Sequence, residues 1–247
     1  MKINKFKKTG KNKYKVIFDN TELTLYEDVI LKYNLLIKKE IDIEEIDEII
    51  LENRNYEVYD MALSYIEFKM RSKKEIIKYL KNKGFEDNLI NQTINKLESL
   101  GLLNSNSYIS AFINDKVNLS NDGPYKIKQA LLDLDFNEND IDNYLNKIDN
   151  SIWEDKLIKI INKKKNIMKS KSYYMFINKM KNYLYNLGYS KEMIDEKLSN
   201  INYESNALNK DFDKCVKKFK NDKTKIINSL MRKGYTYEDI NSMFSEK

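Results

Sequence analysis

The sequence has no histidine, one cysteine, one proline and six glycines in 247 residues. Each shortage removes something. Without histidine there is no Ser-His-Asp or Cys-His catalytic pair and no imidazole ligand for zinc. A single cysteine, Cys215, makes neither an internal disulfide nor a thiolate cluster, as expected in a reducing compartment. So few breakers point to a mainly α chain. No apolar run approaches the ~18 residues of a membrane span, and Met1–Lys15 is too charged for a secretory signal. The expectation is a soluble, cytoplasmic protein. Paired carboxylates or a lysine remain available, so catalysis is disfavoured rather than eliminated.

What is present is a repeated pattern. Leu80, Gly84 and Phe85, followed by Ile90, Ile94 and Leu97, describe a helix end, a left-handed turn and the apolar face of a second helix. The pattern returns as Leu131–Asp135–Phe136, Leu184–Gly188–Tyr189 and Leu230–Gly234–Tyr235. Aspartate is among the few residues besides glycine that tolerate the left-handed conformation. The leucines stand 51, 53 and 46 residues apart, the period of a helical array in which each unit packs on its neighbours. The fold expected is an elongated, curved array of tandem three-helix repeats. The division read is 1–54 (extension), then repeats at 55–103, 104–150, 151–202 and 203–247. Each repeat is expected to hold three helices of about 12 residues, near the ordinary helix length.

Within this frame, residues 2–7, 13–18 and 22–26 read as a small β-meander that must pack on a following helix. Ser72 and Glu75 form a capping box; Asn137, Ser190 and Thr236 are N-cap types, with Asp87 as the substitute in the first copy. Tyr108, Ala111 and Phe112 read as the buried stripe opening the second copy. Charge is uneven: residues 19–60 hold 13 acidic and 4 basic side chains, whereas 151–190 hold 9 basic and 2 acidic. Such polarity fits two kinds of contact, one with a polyanion, and fits solvated helix faces as well.

The stretch from Ala62 to about Ile148 resembles the RecX family of recombination regulators. The resemblance rests on Ala62-Leu63-Ser-Tyr65-Ile66, Arg71-Ser72-Lys-Lys-Glu75, Gly84-Phe85, the junction Gly101-Leu102-Leu103-Asn104…Tyr108, and Gly123-Pro-Tyr-Lys-Ile127. Ser105 and Ile109 depart from that pattern, where aspartate and alanine are usual. The resemblance implies a non-enzymatic, monomeric protein without cofactor or metal. It implies binding to the RecA–DNA filament and inhibition of RecA ATPase and strand exchange in DNA repair. A RecA-independent DNA-binding module and a carboxylate-dependent nuclease are the competing readings.

Candidate contacts with RecA or DNA are Arg71, Lys73, Lys74 and Lys116. Candidate DNA contacts are Lys163, Lys164, Lys165, Lys169 and Lys171, with Tyr173 and Tyr174 as stacking rings. The joint residues Leu80, Gly84, Phe85 and their counterparts are assigned to packing and capping, so a change at Gly84 is expected to damage folding first. The acidic run Glu44–Glu52 lacks a glycine-containing loop to wrap an ion and reads as a solvated face.

Overall fold

In the computed structural model, residues 1–19, 21–168, 172–199, 201–203 and 207–245 are described; their local sequence produces one sheet and thirteen helices. The chain divides into two units, Met1–Tyr108 and Ile109–Lys247.

The first unit begins with strands β1 (Ile3–Lys8), β2 (Lys13–Phe18) and β3 (Glu22–Tyr26), antiparallel in the order β1-β2-β3. Pleat alternation turns Val16, Phe18 and Leu25 inward. They pack against Val29 and Ile30 of α1 (Glu27–Lys32) and Ile46 and Ile49 of α2 (Ile43–Glu67). The open edge of β3 is closed by a side chain. Asn53 of α2 donates from Nδ2 to Thr24 O at 3.1 Å and accepts from Tyr26 N at 2.8 Å, standing in for a strand.

α2 is 25 residues long and runs unbroken through the 54/55 boundary read from the sequence, because residues 43–67 contain neither glycine nor proline. Its first half covers the sheet. Its second half, through Val58 and Ala62, forms a separate core with α3 (Lys73–Asn82) and α4 (Asp87–Ser99). Ser72 and Glu75 cap α3 reciprocally. α4 differs from expectation: Glu86 is its N-cap position without a side-chain bond, and Asp87 stands at the first helical position, paired with Lys81 at 2.8 Å.

α5 (Ser105–Leu119) crosses the division at residue 108, and its buried residues are Tyr108, Ile109 and Ile113. Ala111 and Phe112 are only half-buried, so the inward stripe is rotated from the one read. The second unit continues with α6 (Pro124–Leu132), α7 (Glu138–Leu145), α8 (Asn150–Ile167), α9 (Tyr173–Asn186) and α10 (Lys191–Ser199). It ends with α11 (Ala207–Phe219), α12 (Lys223–Met231) and α13 (Tyr237–Ser245). From α2 onward, helix lengths run from 8 residues in α7 to 25 in α2, less even than the repeat suggested.

The turns ending α3, α6, α9 and α12 share one geometry. Phe85 N donates to Leu80 O at 3.3 Å and Gly84 N to Lys81 O at 2.9 Å, a Schellman motif. The same two bonds recur around Asp135, Gly188 and Gly234, and the φ angles at 84, 135, 188 and 234 are +83°, +64°, +87° and +82°. In the second unit two of these turns also receive a helix start. Gly123 N donates to Leu187 O at 2.6 Å and Tyr125 N to Gly188 O at 3.1 Å, at the head of α6. Ser172, the N-cap of α9, donates from Oγ to Lys233 O at 2.6 Å. Carbonyls left over at one helix end thereby meet donors at the start of another, with helix dipoles aligned head to tail.

Candidate nucleic-acid interface

The Arg71 corner is built from contacts within the first unit. The Arg71 guanidinium lies 4.2 Å from the Tyr65 ring centroid, Tyr65 stacks on Tyr79 at 4.1 Å, and Lys83 approaches the far face of that pair at 5.7 Å from Tyr79. Arg71 also pairs with Glu75 at 3.5 Å. Glu75 accepts from Ser72 N at 2.8 Å and from Tyr108 Oη at 3.2 Å, so one carboxylate ties three groups together. Burial, then Glu75, pushes the Tyr108 phenol up to about 12. Arg71 is thus committed to holding the start of α3. Lys73, paired with Glu98 at 3.1 Å, and Lys74 are the exposed cations of this corner.

Lys116 is committed too. Its Nζ donates to Asp122 at 3.0 Å, and Lys126 pairs with the same carboxylate at 2.8 Å. Burial works against the Asp122 carboxylate, but the two lysines outweigh it and hold the group below the usual carboxylate range.

The lysines of the third copy are arranged differently. α8 presents Lys156, Lys159, Lys163 and Lys164 to a cleft of about 630 Å³ whose opposite wall is the end of α5 (Val117, Asn118) and whose floor includes Tyr183. Among the described residues Asp155 is the one acidic residue lining it. Lys156 donates to Val117 O at 2.7 Å and Lys116 O at 3.3 Å, capping the C-terminal carbonyls of α5. Burial pulls its ammonium below the ordinary lysine value. Lys164 sits 4.4 Å over the Tyr183 ring. Lys159 and Lys163 are exposed at the rim. Lysines at positions 156, 159, 163 and 164 share one helical stripe, so spacing alone would have added the first two to the candidate set. Lys165 is half-buried and does not line the cleft. Lys169 and Lys171 lie outside the described residues.

Of the two tyrosines, Tyr173 is 51% exposed, with its ring 6.4 Å from Tyr203. Tyr174 is 60% exposed, yet its Cβ would lie 2.5 Å from a Cβ at Gly234, so its base is packed on the fourth turn. Neither lines the α8 cleft; the ring there is Tyr183. Ammonium groups around one ring make a site for an anion with a planar group attached. Among the described residues no group of three His, Cys, Asp or Glu side chains could hold a metal ion, and no helix is long and apolar enough to cross a membrane.

Comparison with known proteins agrees on one relationship. Residues 59–97 match the family model described as RecX, first three-helix domain. A protein named Regulatory protein RecX from Streptococcus agalactiae is 32% identical over 257 aligned positions, covering 100% of this chain and 99% of that protein. Two solved structures share the fold. A crystal structure of regulatory protein RecX aligns with TM-score 0.66 at 21% identity, over 81% of this chain and 100% of the other. RecX from Lactobacillus salivarius aligns with TM-score 0.54 at 27% identity, over 60% of this chain and 97% of the other. With 32% identity to a relative that covers this chain from end to end, the chain belongs to the RecX family of regulatory proteins.

Proposed function

We propose that the protein regulates recombination by binding the RecA–DNA filament and lowering RecA's ATPase and strand exchange, with no reaction of its own. The observation that carries this is the full-length similarity to proteins named Regulatory protein RecX. The lysine cleft on α8 supports a DNA contact inside such a complex, because lysines neutralise phosphates without reading sequence. Division into four three-helix repeats after the N-terminal extension belongs to the same proposal, as does action by a single chain. The test is a titration of purified protein into RecA on single-stranded DNA. Substoichiometric loss of ATP hydrolysis is expected, and an unchanged rate over a wide range of ratios would overturn the reading.

The cleft also favours a second reading, a module that binds DNA without RecA. Lys159→Gln/Lys163→Gln/Lys164→Gln separates the two. If bare-DNA binding weakens with a salt slope lower by about two to three while RecA inhibition is untouched, the second reading holds. If inhibition weakens with it, the cleft serves the filament.

A further inference from the structure

Residues 1–18 contain seven lysines and no acidic side chain. The sheet sorts them. Lys7 stands directly across from Lys15, and Lys5 across from Ile17, so Lys5, Lys7 and Lys15 share the face opposite buried Val16 and Phe18. Lys8, which ends β1, pairs with Tyr14 on the other face, its Nζ 5.7 Å over that ring, and Lys11 lies in the following turn. Lys5, Lys7, Lys8 and Lys11 are all exposed, and among the described residues none of them has a carboxylate at ion-pair distance. Lys15 does, with Glu22 at 2.6 Å.

Like charges directly opposed across an antiparallel pair weaken that pair. The acids that would relieve this one are available in the same unit, since residues 19–60 carry nine more acidic than basic side chains. Apart from Glu22, on Lys15, they are placed elsewhere. Glu52 pairs with Lys32 and Glu45 with Lys38, while Glu44 and Glu48 face solvent on α2. Glu22 offsets Lys15 alone, so Lys5 and Lys7 stay without a carboxylate partner among the described residues.

We propose that this outer face of the N-terminal sheet is a contact for the sugar–phosphate backbone of nucleic acid. Neighbouring strands are about 4.8 Å apart and alternate residues about 6.8 Å apart, which spreads ammonium groups over a flat grid rather than around a pocket. A flat grid suits a long polyanion better than a single anion or an acidic peptide, which wants a groove. Phe6 and Tyr14 pair with Val16 and Leu25 on the covered side, and Tyr26, across from Lys13, is buried, so no exposed ring on the lysine face stacks on bases. The contact reads charge alone and takes single-stranded and duplex DNA alike. The apolar side chains on that face, Ile17 and Tyr26, are half-buried and buried, which leaves no exposed apolar patch to seat it in a lipid surface. The site is separate from the α8 cleft, and it stands whether or not the protein acts on RecA.

The test uses the full-length protein and bare DNA. Lys5→Gln/Lys7→Gln/Lys11→Gln removes charge from exposed positions, and binding of a labelled duplex is followed by anisotropy as salt is raised. Each neutralised phosphate contributes about 0.9 to the salt slope, so the slope should fall by two to three. Between about 50 and 200 mM salt the wild type should then lose tens-fold more affinity than the variant. An unchanged slope overturns the proposal. A second measurement needs no variant: duplex DNA should shield Lys5, Lys7 and Lys11 of the wild type from an amine-acetylating reagent. Shielding by polyglutamate or by phosphatidylserine vesicles, but not by DNA, would assign the face to an acidic protein or a membrane and sink the inference.

Discussion

Two glycines that look equivalent in the repeat do different work. At Gly84 an added Cβ would meet nothing within 4 Å, so only the φ of +83° resists substitution. At Gly188 the φ is +87° and an added Cβ would lie 2.4 Å from Lys126 N, where the head of α6 is seated. Gly84→Ala should therefore destabilise by about 1–2 kcal/mol, and Gly188→Ala by about 3 kcal/mol or more, read from urea midpoints. Gly84 was legible as a left-handed residue because the requirement is local. Nothing near Gly188 in sequence announces the second, steric demand, because Lys126 lies 62 positions away. A pH effect belongs to the same neighbourhood. Asp122 is held below its usual range by Lys116 and Lys126, and its side chain is 14% exposed. A depressed carboxylate contributes stability above the unfolded value near 3.9 and loses it as pH falls through the lower folded value. Asp122→Asn should cost about 1.5–3 kcal/mol at neutral pH. In acid-urea titrations the gap to wild type should start to narrow below about pH 3.9 and keep closing as pH falls through the lower folded value, where the native carboxylate takes up its proton. A gap constant to pH 2 would show that the two lysines contribute nothing.

At the scale of elements, α3 carries the most sequence information. Ser72 is 2% exposed, and the capping box closes as its spacing requires, with Glu75 N to Ser72 Oγ at 3.2 Å and Ser72 N to Glu75 Oε2 at 2.8 Å. The sequence could not show that the same Glu75 would also anchor Tyr108 and Arg71. Ser72→Ala should cost about 1 kcal/mol, the ordinary worth of an N-cap. Glu75→Ala should cost more than Ser72→Ala, since it also frees Tyr108 and leaves Arg71 unpaired beside Tyr65. Equal losses in thermal unfolding would contradict the shared role of that carboxylate. The cap of α4 was less legible. An aspartate one position late lies inside the helix, where its side chain faces Lys81 rather than the free N–H groups. The rotated stripe of α5 has a similar cause. Tyr108, Ile109 and Ile113 were all visible as apolar, but which arc turned inward depended on what packed against the helix.

At the scale of the whole molecule, α2 joins two hydrophobic cores in the first unit. Ile46 and Ile49 belong to the sheet core, Val58 and Ala62 to the helical core, and no residue between them interrupts the helix. Leu51 is 61% exposed between the two sets, so Leu51→Pro should break the rod without emptying either core. The break costs about 3 kcal/mol, and unfolding of this unit should change from one transition to two by fluorescence and circular dichroism. A single transition at lower denaturant would mean that the cores are coupled by more than α2. In the second unit the heads of α6 and α9 dock on the turns at Gly188 and Gly234, which ties α6 to the end of α9 and α9 to the end of α12. The sequence by itself determined the mainly helical class, the three strands, the capping box and the recurring leucine–glycine–aromatic turn. Each is governed by a few consecutive residues, whose backbone freedom and spacing are written in the chain. Only the tertiary structure decided that Lys156 and Lys159 join Lys163 and Lys164 around one cleft, that Arg71 and Lys116 are held by carboxylates, and that Asn53 completes the sheet edge. Those outcomes depend on partners far away in sequence, and a side chain's charge or amide does not specify which distant group will reach it.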